Sequence, residues 1–124
     1  MSQFEHPYVE HSEHLEFIVP GSAIDEAFFN DLLQAMVEAT EKTGKRRVFV
    51  DRSQSDQSIP TDAMVVYRLA IRVGEAFGAS VRIAAFSPWA ENDSFWENVA
   101  TNRGAIVKAS NDRESLLSWL LSDD

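Results

Sequence analysis

Between Thr61 and Gly78, apolar side chains fall on almost every bearing of a helix. Laid out at helical spacing, Met64, Val65, Val66, Tyr67, Leu69, Ile71, Val73 and Phe77 leave only Arg68, Arg72 and Glu75 for one narrow polar stripe. A helix this apolar has to be covered on more than one side. That requirement excludes a solitary surface helix. It asks for a β-layer beneath the segment and for protein at its flanks.

The rest of the chain supplies both. Leu15-Glu16-Phe17-Ile18-Val19 reads as a short strand stopped by Pro20-Gly21, which cannot extend a ladder. Ser22 with Asp25 opens a first helix, whose apolar face is Phe28, Phe29, Leu32, Leu33, Met36 and Val37; Gly44 ends it. Val48-Phe49-Val50 is a continuous apolar run, as expected of a strand covered on both sides. After the apolar second helix come a strand at Val81–Phe86, a helix opening at Ser94 and closed by Gly104, and a strand at Ala105–Ala109. A last helix is expected to be capped by Asn111 with Glu114, with Leu116, Leu117, Trp119, Leu120 and Leu121 on its apolar side. The alternation predicts a single α/β domain, a mostly parallel sheet of four to five strands with four helices, whose right-handed crossovers bury both sheet faces. Residues 1–13 stand apart as a flexible arm or an added edge strand, and residues 14–124 form the domain.

Composition narrows the function classes. Twenty acidic against eleven basic residues give a net charge of −9, which argues against nucleic acid or an anionic membrane as partner. Without Cys there is no thiolate nucleophile and no thiolate metal site. No run is long and apolar enough to span a bilayer, and the first residues lack the basic start and apolar stretch of a secretory signal. A cytoplasmic protein is the expectation.

In open α/β sheets, ligands collect at the carboxyl ends of the strands. Those ends carry no GxGxxG, GxxxxGK[ST] or GxSxG, and no cofactor is expected. Asp51 ends a buried strand, yet the acidic pair that a phospho-acceptor would need after the first strand is replaced by Val19-Pro20-Gly21. A side chain capping its own loop accounts for Asp51. Thr61 is a candidate phosphorylation site at the start of the second helix, where backbone N–H groups favour a phosphate, and it is equally an N-cap. Arg68 and Arg72 are like charges four apart, compensated by Glu75 and nearby acids or by an anionic partner. Trp89, beside Pro88, is a candidate interface aromatic. His6, His11 and His14 are metal-ligand types, but residues 11 and 14 would share a helix face and not a strand face. They read as part of a solvated arm, and no metal site is assigned.

Phe95-Trp96-Glu97-Asn98-Val99-Ala100-Thr101-Asn102-Arg103-Gly104 and the closing Asn111-Asp112-Arg113-Glu114-Ser115-Leu116-Leu117-Ser118-Trp119-Leu120, taken with the element order, resemble the STAS (sulphate transporter and anti-sigma factor antagonist) superfamily, its SpoIIAA-like branch in particular. Asp51-Arg52-Ser53 is similar to the Asp-x-Ser of those regulators, whereas Ile59-Pro60-Thr61-Asp62-Ala63 departs from their Ser-Ser-Gly. The resemblance implies a non-enzymatic module that docks protein partners, sometimes gated by phosphorylation, with Thr61 the nearest substitute at that position.

The expectation is therefore a regulatory or protein-interaction module. Its candidate partner-binding residues are Asp51, Ser53, Arg68, Arg72 and Trp89. A carrier of a small apolar or amphipathic ligand is the alternative, motivated by eight Phe and three Trp. A twofold copy of the chain would cover the second helix if its neighbours do not.

Overall fold

The computed structural model describes residues 8–19, 26–54, 63–87 and 101–122. Its elements are β1 (Tyr8–Glu10), β2 (Leu15–Ile18), α1 (Glu26–Thr43), β3 (Arg47–Asp51), α2 (Ala63–Phe77), β4 (Arg82–Phe86), β5 (Ile106–Ser110) and α3 (Arg113–Leu121). They build one α/β unit around a five-stranded sheet in the order β1-β2-β3-β4-β5. The pairs β2–β3, β3–β4 and β4–β5 are parallel, and β1 joins β2 antiparallel as an edge strand.

Chain order and sheet order coincide from β2 to β5. Right-handed crossovers then carry successive helices to the same face. There Leu15, Phe17, Val48, Val50, Ile83 and Val107 of the strands pack with Phe28, Leu32 and Met36 of α1 and Ala70, Val73 and Phe77 of α2. Among the described residues, the opposite face is covered by the last helix. Leu116 and Leu120 of α3 lie on Phe49 and Ala84, with Phe86, Leu117 and Trp119 around them. Both sheet faces are covered as expected; among the described residues the crossover helices α1 and α2 share one side, and the closing helix α3 lies over β3, β4 and β5 on the other.

The periodicity of α1 and α2 translates directly into this packing. Gly44 at φ +75°, a conformation that costs other L-residues, takes the left-handed turn that ends α1. In α2 the inner positions Ala70, Val73 and Phe77 are buried, while Met64 is 56% exposed. Gly74 lets α2 approach the Arg103 backbone so closely that a Cβ there would sit 2.6 Å from Arg103 Cβ.

Two further expectations shift. The N-cap of α3 is Asp112 and not Asn111: its backbone is extended, and its carboxylate accepts from Ser115 N–H at 3.2 Å and from Ser115 Oγ at 2.9 Å. The carboxyl end of α3 is held by Arg82, whose Nη1 donates to the carbonyls of Trp119 and Ser122, each at 2.9 Å. Of the helix expected from Ser94 to Gly104, residues 101–104 fall among the described ones: Thr101 and Asn102 are helical, and Arg103 and Gly104 form a turn. The four-helix count is thus three complete helices among the described residues, and the Ser22–Asp25 cap lies outside them.

Candidate functional site

A helix that begins with arginine places a cation where the helix dipole disfavours one. Arg113 is therefore held by acids. Glu16 pairs with Phe49 and Ile18 with Asp51 across the parallel β2–β3 ladder, so the side-chain alternation puts Glu16 and Asp51 on the face that α3 covers. Arg113 Nη2 donates to Glu16 Oε2 at 2.8 Å, and its Nη1 donates to Asp51 Oδ2 at 3.3 Å. The guanidinium lies over the Phe49 ring, 4.7 Å from its centroid, and 5.8 Å from that of Phe86. Asp51 Oδ1 accepts the Ser53 N–H at 2.9 Å, the loop-capping bond expected of it.

The cluster continues into the β1–β2 hairpin. His11 N–H donates to the His14 carbonyl at 2.8 Å, so Ser12-Glu13 is a tight connection and residues 11 and 14 stand opposite one another. Val9 faces Glu16 one step further along. In this register residues 9, 11, 14 and 16 all share a face. The reading of residues 11 and 14 as unable to meet on strands is corrected: it holds for one strand, and here two antiparallel strands bring them together. The imidazoles stack at 4.4 Å with 14° between their planes. His11 Nε2 lies 3.0 Å from Glu16 Oε1. His14 is only 8% exposed, which also corrects the solvated-arm reading at that residue. Lys45 Nζ ties the hairpin tip to the body by donating to the Ser12 carbonyl at 3.1 Å.

The charge states follow from these contacts. Burial lowers the pKa of His14, and the neighbouring His11 lowers it further, against the opposing pull of Glu16. Burial works against ionised Glu16, but hydrogen bonds from Arg113 and His11 outweigh it and hold the carboxyl below its ordinary value. The same Glu16 bond raises the pKa of Arg113.

On the other face, Arg68 and Arg72 part company. Arg68 is exposed. Arg72 is half-buried and donates to Asn30 Oδ1 of α1 at 2.5 Å, which makes it a tie between helices. Tyr67 Oη accepts from Arg103 Nη2 at 3.3 Å. Asp51 and Ser53 are joined as expected, whereas Thr61 and Trp89 lie outside the described residues.

Neither the known protein-family models nor the curated proteins contain a match for this chain. What it can do is read from its own geometry. The described strand order never reverses, so the described sheet lacks the switch point at which α/β folds open a ligand crevice. Both oxygens of Asp51 accept a hydrogen bond, Oδ1 from the Ser53 N–H and Oδ2 from Arg113. Glu16 and Arg113, absent from the candidates drawn from sequence, are the centre of the polar network. The cation at the start of α3 was the available signal. No helix among the described residues is long and apolar enough to cross a membrane.

Proposed function

We propose that this chain is a non-enzymatic, STAS-like regulatory module that captures a protein partner on the outer side of α2 and the adjoining carboxyl end of β3. One observation carries the reading. Met64, a large apolar side chain at 56% exposure, stands one helical turn before exposed Arg68, at the amino-terminal half of α2. An apolar anchor beside a cation is the make-up of an interface centre, and the acidic remainder of the chain favours a partner that meets this spot with an acidic or apolar patch. Arg72 drops out of the contact surface because it is half-buried against α1, where it bonds Asn30. The resemblance adds a phosphorylation gate at Thr61, just before α2, and exposed Ser53 as the rim, its turn held by Asp51 from the α3 side.

The test is affinity capture from the native cell with wild type, Arg68→Glu and Thr61→Asp in parallel. A specific partner retained by wild type and lost with Arg68→Glu is the expected result. Capture unaltered by Arg68→Glu contradicts the surface, and identical partners for Thr61→Asp contradict the gate.

A further inference from the structure

From the hairpin geometry we infer that His11, His14 and Glu16 form a binding site for a divalent late-transition metal of the zinc class, which clamps the β1 edge strand onto the sheet. One ligand atom from each residue can be chosen so that all three lie within 4.8 Å of one another. His11 Nε2 and Glu16 Oε1, at 3.0 Å, are already near the spacing of two ligands on one tetrahedral ion, roughly 3.3 Å for bonds of about 2.0–2.1 Å. The third ligand atom, on His14, comes in by rotation of its side chain out of the ring stack, since the set spans up to 4.8 Å. Two imidazoles and one carboxylate suit zinc, nickel or copper and not magnesium or calcium, which take oxygen ligands. The set leaves a fourth position for water on the exposed His11 side.

The surroundings support the ligands. Arg113 holds Glu16 by Oε2 and leaves Oε1 to turn toward the ion, the kind of outer contact that orients a ligating carboxylate. The hairpin connection fixes His11 opposite His14, and Lys45 anchors that connection to the body of the domain. An ion here would join the last residue pair of the hairpin to the middle of β2. It would therefore restrain Tyr8–Glu10, a three-residue strand at the sheet edge.

The experiment is calorimetric titration of the untagged, metal-free full chain with ZnCl2, followed by hydrogen exchange of the same samples. One equivalent is expected to bind, with slowed exchange in Tyr8–Glu10, and Mg2+ is expected to give no heat. His11→Ala and Glu16→Gln should each weaken binding by at least about tenfold, the scale on which even the support of a ligand matters. His14 is buried, so His14→Ala is read only after circular dichroism shows a native fold; exposed His11 carries the test if it does not. His6→Ala should bind as wild type does. No binding, binding indifferent to His11 and Glu16, or loss confined to His6→Ala would each overturn the site.

Discussion

Arg113 and Glu16 are joined at 2.8 Å across ninety-seven positions of sequence, with the Phe49 ring as the floor beneath the guanidinium. The pair locks the first residue of the last helix to the second strand. It also explains how a cation is tolerated at a helix amino terminus. Arg113→Ala should lower unfolding free energy by about 1–2 kcal/mol, summing a partly screened ion pair and a cation–π contact. The figure stays low because the Arg113 side chain is 40% exposed. Arg113→Lys should fall between the two, since lysine keeps the charge but not the planar fork. Urea denaturation of the three proteins checks the ranking.

Gly74 tests the packing of α2. An alanine would gain up to about 1 kcal/mol in helix propensity at an open site. Here its Cβ would meet Arg103 Cβ at 2.6 Å and the Arg103 carbonyl oxygen at 2.9 Å, and neither is the yielding end of a side chain. Gly74→Ala should therefore destabilise by about 1–3 kcal/mol, the usual cost of overpacking. A thermal midpoint equal to or above wild type would show that α2 does not sit this close to Arg103.

Asp112 gives the fold an acid-sensitive point. Bonds from the Ser115 N–H and hydroxyl hold its carboxyl below the ordinary aspartate value. A pKa depressed by folding means that folding favours the anion. Its contribution is complete above the unfolded value, about 4, and fades as pH falls through the lower folded value. The stability gap between wild type and Asp112→Ala should thus be flat from neutral pH down to about 5 and close toward pH 3. A gap that widened on acidification would contradict the cap.

Much of this architecture is written in the residue pattern. The unbroken Val48-Phe49-Val50 run announces a strand covered on both sides, and all three residues are buried. The alternation of Leu15 and Phe17 with Glu16 and Ile18 marks one buried and one partly open face of β2. The polar cluster was harder to read because its members come from three distant segments, and only the parallel β2–β3 register sets Glu16 beside Asp51. The meeting of His11 and His14 eludes the residue spacing for a related reason. Face-sharing on a single strand follows from spacing alone, whereas face-sharing across a hairpin depends on where the connection falls. The one-residue shift of the α3 cap reflects two adjacent capping types, Asn111 and Asp112, that local preference ranks equally.

The most direct measurement of the docking account is hydrogen exchange on the chain alone and in complex with its captured partner. Slowed exchange concentrated in residues 63–72 and 51–54 is the predicted footprint. Protection confined to α3 and the β5 edge, with α2 exchanging as it does in the free chain, would contradict it.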